Sequence, residues 1–572
     1  MSSDSLIFHK KIKLREQNLE EAKKIETEHK TSPVLSRILS ARGFVAGEEL
    51  TKYLKPTLSS GLDDIENLKN LKEACLLIKE HYNKKNLIAV CSDFDVDGLT
   101  SASQVIAFFK ELNIKHKFYV PNRFSEGYGL NENMIKQAAK DGAKLLIALD
   151  YGTSNSKELT LTKELRMQSI VIDHHHVNKD NLPTCDVFIN PQQDGCNFAN
   201  GTLCTAGLVW YLLIQLKKEI LEAKNIDIRD YLDLASLGTI CDMVPLVGTN
   251  RVIAEKGLEV LTNSKRVGIK ALKNISGING AVKSYNVGFG FGPRINAAGR
   301  MERGDVVIDL LTSQDSIETK KIATQLNKLN SLRQDIELRM KNKAINKINS
   351  LKALPSGLVV WDDDFHTGVI GIVAQRLVET FYRPSIVMGK DQDNYKGSVR
   401  GISNFSVVEA LTKLSDCFIK FGGHSGAGGF TLKNIDLEEF SDRFNKACEE
   451  MITPEDFVPY SLADTVVSFN ELDDILCDEL KVISPYGVKN PAPQLMVNNI
   501  FVKEVKLLKN THLKATLTDG KRYLDALMWN TVRHPCLYQG ANINIVCKAE
   551  VNSFNNNLSV QLILQAVEED KS

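Results

Sequence analysis

No CxxC pair occurs in the 572 residues, although eleven cysteines are scattered along them (Cys75, Cys91, Cys185, Cys196, Cys204, Cys241 and onward). Without paired spacing there is neither a zinc motif nor a disulfide framework. An odd set of isolated cysteines reads as free thiols in a reducing compartment, so a cytoplasmic protein is expected. Net charge is missing as well, since 71 basic side chains balance 71 acidic ones. Bulk charge therefore gives no argument for a nucleic-acid partner, although a local basic channel is all that one needs. Long apolar runs are also lacking. The longest clean one, "GLVWYLLI", is far short of the ~20 residues that span a bilayer, and "MSSDSLIFHKKIKLREQ" has no apolar signal core. No membrane partner is expected. Internal repeats and low-complexity tracts are absent, which leaves ordinary globular domains.

At this length three or four such domains are expected. Residues 1–65 are charged and helix-prone, with "SPVLSRILSARG" as an amphipathic helix closed by glycine. Residues 66–315 alternate short apolar runs ("LIAVCS", "KFYV", "LLIALD", "SIVID", "VFIN") with longer helical stretches. That alternation predicts an α/β fold with a parallel sheet covered on both faces. Residues 316–350 contain neither proline nor glycine and many charges, predicting a long, mostly exposed connecting helix. A second, smaller α/β domain is expected over 351–452. Alternating strands with "DG" and "NNN" turns then predict a small closed β-barrel over 453–572.

What stands out locally is "CSDFDVDGLTSA", with Asp93, Asp95 and Asp97 at every second position after an apolar run. At ~4 Å and an effective dielectric of about 20, two such charges repel by roughly 4 kcal/mol, so something must offset them. In an extended segment, alternate residues share a face and the three carboxylates converge. Asp150 ends "LLIALD", Asp173 opens "DHHH" with His174, His175 and His176, and Asp242 lies at a helix end in "GTICDMVPL". Ligands of open parallel sheets bind beyond the carboxyl ends of the strands, so these acids gather along one edge. Carboxylates with imidazole suit two divalent cations, with manganese favoured by the histidine and magnesium allowed. Each motif alone has a plainer reading, as a solvated loop, a cap or a turn. It is their combination that points to a metal centre for phosphoryl hydrolysis.

"SDFDVDGLTSA", "LDYGTS", "IDHHHV" and "GTICDMVPL" resemble the four motifs of the DHH phosphoesterase superfamily. "PNRFSEGYGL", "GFGPRINAAGRM", "FHTGVIGIVAQRL", "GSVRG" and "FGGHSGAGGF" narrow the resemblance to its branch that degrades single-stranded DNA from the 5′ end. The resemblance implies a DHH domain, a DHH-associated domain and an OB-fold barrel. It implies metal ligation by Asp93, Asp95, Asp97, Asp150, His174 and Asp242, with His175 beside the phosphate and Asp173 supporting the histidines. Ser398 and Arg400 would receive a terminal phosphate. Gly423, His424 and Gly426 would approach phosphate closely, and Arg123 with Arg294 or Arg300 would line the strand's path. Lys503, Lys506, Lys509, Lys514 and Lys521, with Phe501, Tyr523 and Trp529, would form a strand-tracking barrel face, unless the lysines are merely solvated. Tyr151 and Val399 depart from the usual pattern, and Tyr151 would change local substrate contacts.

The implied activity is a single-stranded-DNA-specific 5′→3′ exonuclease releasing nucleoside 5′-monophosphates in DNA repair and recombination. It would act as a monomer, with a helicase and a single-strand-binding protein as partners. Two rivals stay open at this point. One is a phosphodiesterase for short oligonucleotides or cyclic dinucleotides, or a pyrophosphatase, which needs no barrel. The other is a catalytically dead replication scaffold, whose signature would be missing ligands.

Overall fold

The computed structural model describes residues 10–122, 127, 129–554 and 557–570. The chain divides into two compact units, one of residues 48–332 with 483–492, the other of residues up to 47 with 333–482 and 493 onward.

The first unit is built on five parallel strands in the spatial order His116–Tyr119, Leu87–Ser92, Ala143–Leu149, Gln168–Ile172 and Val187–Ile189. Strand alternation sends Ile88 and Val90 into a large core with the helices Leu71–Asn83, Val96–Glu111 and Thr205–Glu219. Ala89 and Cys91 face the other way, against Met134, Ile135, Ala138 and Leu159. Both faces are thus covered, which is why these strands read as continuous apolar runs rather than alternating ones. The central three strands are direct neighbours and run in one direction, so the residues following them, Asp93, Asp150 and Asp173, emerge side by side.

The second unit carries a mixed sheet in the order Phe418–Gly423, Ala427–Leu432, Asn394–Arg400, Ser385–Asp391 and Leu358–Asp362. Its only parallel pair, Leu358–Asp362 with Ser385–Asp391, is joined by the helix Ile370–Phe381, as the β-α-β pattern predicts. The barrel strands follow the order Leu495–Leu508, His512–Thr518, Tyr523–Met528, Asn557–Glu569 and Asn542–Phe554, and the last pairs back onto the first. Closure leaves the five barrel strands without an open edge among themselves.

One feature departs from expectation. The N-terminal segment is not purely helical, because Lys11–Leu14 forms a strand parallel to Tyr460–Ala463. Arg15 and Arg42 then converge on the buried Asp464 carboxylate, at 3.0 and 2.8 Å. The 34-residue helix Ser316–Asn349 is exposed over most of its residues, as its charge density predicts, and keeps one buried stripe. Ala323 and Leu326 enter the core of the first unit, and Met340, Ala344 and Ile348 enter that of the second. Spacings of three and four keep these few apolar residues on one stripe while the charges occupy the remainder. Among the described residues no helix is long and apolar enough to cross a membrane.

Candidate metal centre

The acidic motif does not stay extended. Asp95 caps the helix Val96–Glu111, accepting the Gly98 N–H at 3.2 Å, so Asp97 lies in that helix's first turn. The carboxylates converge through a strand–turn–helix rather than through strand alternation. Gly98 allows the tight turn, since a Cβ there would lie 2.7 Å from the Asp93 carbonyl oxygen. Asp97 is buried and accepts the Thr205 and Ala206 N–H groups, each at 2.8 Å. It thereby satisfies donors at the start of Thr205–Glu219, a helix without a capping side chain of its own. Each carboxylate oxygen retains a second lone pair.

Asp150 adopts a left-handed backbone, φ +65°, at the end of its strand. Its N–H donates to the Ile172 carbonyl, and its Oδ1 accepts the Thr205 hydroxyl at 3.2 Å. His174 Nε2 stands 3.4 Å from Asp150 Oδ1, 3.5 Å from Asp242 Oδ2 and 3.8 Å from Asp97 Oδ2. Asp242 follows the helix Leu232–Cys241 as its C-terminal cap. Gly238, one turn earlier, permits that helix to approach, because a Cβ there would meet Asp97 Oδ1 at 2.6 Å.

Three overlapping sets of donor atoms, each within 4.8 Å, result: Asp93, Asp95 and Asp150; Asp97, His174 and Asp242; Asp150, His174 and His175. Sharing of Asp150 and His174 between sets suits two neighbouring cations. The electrostatics fit too. Burial, followed by the charges of Asp97, Asp95, Asp93 and Asp242, raises Asp150 well above the usual carboxylate range. Burial and the neighbouring acids push Asp242 up to about 9, and burial raises Asp97. Ionising these groups together calls for compensating positive charge. Burial holds His174 below its ordinary value, favouring the neutral imidazole that binds metals.

Asp173 sits behind this cluster. Its Oδ1 accepts the His174 N–H, the His175 N–H and the His175 ring Nδ1–H at 2.8, 3.2 and 2.7 Å, while Oδ2 accepts the Thr153 N–H. Burial opposes its ionisation, but the His175 ring and the Thr153 N–H outweigh that and hold it well below the usual range. For His175, burial is likewise outweighed by Asp173, which raises the ring to about 9.

The second unit holds a separate polar cluster. Arg400 Nη1 donates to Ser398 Oγ at 2.9 Å and to the Val399 carbonyl at 2.8 Å, and Ser398 Oγ donates to the Gly428 carbonyl. Burial lowers the Arg400 guanidinium, and among the described residues no carboxylate pairs with it. Gly371, in the first turn of Ile370–Phe381, faces both groups, since a Cβ there would lie 3.0 Å from Arg400 Nη2 and from Ser398 Oγ. A guanidinium, a hydroxyl and a helix N-terminus therefore converge, a combination suited to phosphate.

Three family models match the chain: the DHH family N-terminal domain over 87–239, the DHHA1 domain over 354–450 and the RecJ OB domain over 463–566. The single-stranded-DNA-specific exonuclease RecJ of Bacillus subtilis is 34% identical over 540 residues, covering 93% of this chain and 68% of that protein. The chain belongs to the RecJ family. RecJ of Escherichia coli is 30% identical, with 97% of this chain and 99% of that protein covered. Crystalline Thermus thermophilus RecJ in complex with Mn2+ superposes with a TM-score of 0.84 at 26% identity, over 98% of this chain and 80% of that one. A second RecJ structure, bound to manganese, gives 0.60 at 30% identity, over 69% of this chain and 98% of that one.

Within this RecJ fold, the structure brings together Asp93, Asp95, Asp97, Asp150, His174, His175 and Asp242, with Asp173 behind, and separately Ser398 with Arg400. Arg123 lies outside the described residues. Arg294 is half-buried, donating to Asn327 Oδ1 and to the Gly290 carbonyl, and Arg300 lies in the last turn of the same helix, Gly292–Met301. His424 and Gly426 belong to the exposed turn of the hairpin Phe418–Leu432. Gly423 is demanded by the hairpin itself, as a Cβ would meet the Ala427 carbonyl at 2.4 Å. Tyr151 is buried, with its hydroxyl on Met134 Sδ. On the barrel, Lys506 pairs with Glu504 and Lys514 with Asp525, so these two charges are already engaged. Thr205, Thr153 and Gly371 escaped the sequence reading. Thr153 and Gly371 carried a signal, the quoted "LDYGTS" and "FHTGVIG" stretches, in which no role is attached to either residue.

One expected result concerns Asp173. An Asp173→Asn side chain must turn an NH2 group toward backbone N–H donors or toward the His175 ring, which disturbs the ring's tautomer. Loss of such a supporting partner costs about 10- to 100-fold in activity. Steady-state hydrolysis with Mn2+, together with histidine NMR of the ring protons, checks this. Unchanged tautomer and rate would count against the support role.

Proposed function

We propose that the chain is a metal-dependent exonuclease that degrades single-stranded DNA from the 5′ end, releasing nucleoside 5′-monophosphates in DNA repair and recombination. One observation carries this reading: residues up to 149 positions apart bring carboxylates and imidazoles into one donor cluster at the ends of adjacent parallel strands. The RecJ relatives named for single-stranded DNA support the substrate.

Asp93, Asp95, Asp97, Asp150, His174 and Asp242 would hold two divalent cations, manganese or magnesium. When bound, such a pair supplies Lewis-acid polarisation of the phosphoryl group and acidifies the attacking water. The residues of the chain do the rest. Asp173 ties down His175 Nδ1–H and keeps the ring protonated at neutral pH, so it would carry positive charge beside a phosphate oxygen. No side chain is needed as nucleophile. Ser398, Arg400 and the Ile370–Phe381 N-terminus would bind a terminal 5′ phosphate, whose extra charge over an internal diester favours starting at that end. The barrel would hold the strand, with the exposed Phe501, Tyr523 and Trp529 offering faces for stacking. We assign the protein to the cytoplasm, acting as a monomer alongside a helicase and a single-strand-binding protein.

The test is a digest of long single strands labelled at the 5′ or the 3′ end, with Mn2+ added and then chelated. Early release of 5′ label as mononucleotide, stopped by chelation, is expected. Preference for a dinucleotide over the long strand would favour the small-substrate phosphodiesterase instead. Strand binding without hydrolysis would favour a scaffold.

A pH dependence follows from the crowded acids. Asp97, Asp150 and Asp242 hold protons more tightly when folded than unfolded. Their contribution to stability is therefore complete below the ordinary carboxylate value of ~4 and is lost as pH rises toward about 9. His175 acts in the same direction; His174 acts oppositely but is a single group. The melting midpoint of chelator-treated protein should fall across this window, and the gap opened by Mn2+ should widen with pH. Calorimetry with and without Mn2+ measures both, and a gap independent of pH contradicts the crowding argument.

A further inference from the structure

Tyr285 and Phe289 are 68% and 69% exposed, yet their rings stack on each other with centroids 4.7 Å apart at 26°. They lie on a short helical segment whose second part, Val287–Phe291, is π-helical, a local widening that often marks functional sites. The segment has a buried side: Val287 and Phe291 are wholly inside, so folding is already served without the outer rings. Gly288 and Gly290 flank Phe289, at a cost in helix stability, and no neighbour lies within 4 Å of a Cβ placed at Gly288. Large flat apolar groups left in water beside an open backbone call for a partner.

The surroundings say which partner. From 276 to 301 the sequence holds no acidic residue and three basic ones, Lys283, Arg294 and Arg300. This stretch also wraps the candidate metal centre. Cys241, immediately before Asp242, has its thiol against the Val287 carbonyl, and a Cβ at Gly292 would meet that sulfur at 2.7 Å. A Cβ at Gly299 would meet the Phe94 carbonyl, between Asp93 and Asp95, at the same distance. The aromatic pair thus belongs to a basic stretch, itself without acidic residues, that packs on the residues next to Asp242, Asp93 and Asp95 and forms a rim of the carboxylate cluster. A strand whose phosphate reaches that cluster has flat bases to place within the reach of the rim.

We propose that Tyr285 and Phe289 form a stacking platform for a nucleobase of single-stranded nucleic acid at the rim of the metal centre, a subsite separate from the barrel. It rests on the single-strand reading of the preceding section. Stacking is tolerant of sequence because every base has a π face, so the platform would position the strand without selecting bases.

Binding separates this role from a structural one. Full-length protein in EDTA is titrated against a labelled, 5′-phosphorylated oligothymidylate, followed by anisotropy, and against the same strand carrying one abasic nucleotide moved stepwise from the 5′ end. Wild type should lose about tenfold in affinity when the abasic position falls on the platform. Phe289→Leu should lose about tenfold on the intact strand and become insensitive to the abasic nucleotide at that position, while Phe289→Tyr retains wild-type behaviour. Tyr285→Leu provides the second variant should Phe289→Leu fail to fold. Affinity of the folded variants within twofold of wild type overturns the proposal, as does an equal loss on intact and abasic strands. Inability of wild type to bind any strand would instead count against the exonuclease reading itself.

Discussion

Replacing Asp150 with asparagine lowers Mn2+-dependent hydrolysis of single strands by about three powers of ten, while the metal-free protein becomes more stable. The two effects have one cause. Asp150 contributes to two of the three donor sets, so its loss weakens both cation positions, and such cations supply several kcal/mol of transition-state stabilisation, at ~1.4 kcal/mol per tenfold. Without metal the same carboxylate is a liability, buried against Asp97, Asp95 and Asp93 and raised well above its ordinary value. Asparagine is the informative substitution because Asp150 has φ +65°, a conformation asparagine adopts readily and alanine does not. It can also keep the Thr205 hydroxyl bond through its own carbonyl. Steady-state rates and melting in EDTA and in Mn2+ check the result together. A variant that loses activity but is still stabilised by Mn2+ as strongly as wild type would place Asp150 outside the cation sites. One that loses stability in EDTA would contradict the charge argument.

The second large effect is expected at Arg400. Arg400→Ala should lower kcat/KM about a hundredfold on strands with a 5′ phosphate and far less on strands with a 5′ hydroxyl. Hydrogen bonds to charged groups contribute about 1.5–3 kcal/mol, and this guanidinium is half-buried, its partners among the described residues being the neutral Ser398 Oγ and Val399 carbonyl. Such a group keeps its charge for an incoming anion rather than for the fold. Gly371→Ala should reproduce part of the loss without removing any charge, because its methyl would enter the space 3.0 Å from both Arg400 Nη2 and Ser398 Oγ. Equal losses on the two kinds of end would show that Arg400 supports the fold rather than reading the phosphate.

The acids at the strand ends were legible because a parallel sheet writes its strands as unbroken apolar runs, and the residue that breaks each run lies at the sheet's edge. That logic places Asp93, Asp150 and Asp173 together from the sequence alone. It failed on Asp97, which was expected to point with its neighbours along an extended chain. In the fold it caps a helix beginning 108 residues later. The long helix Ser316–Asn349 reads as mostly exposed and is so, but its buried stripe is not legible, because a few apolar residues are hard to see among so many charges and what they bury against is remote in sequence.

Alternation of strand and helix, the positions of acids and histidines, and the separate barrel follow from local patterns, since periods of two and of three to four residues are short-range properties of the chain. The strand Lys11–Leu14 adding to Tyr460–Ala463, Thr205 meeting Asp97 and Asp150, and Gly371 opening space beside Arg400 were decided by tertiary structure alone. Each of these is a contact between distant segments, whose free energy depends on how whole elements pack, and no local period of the sequence records it.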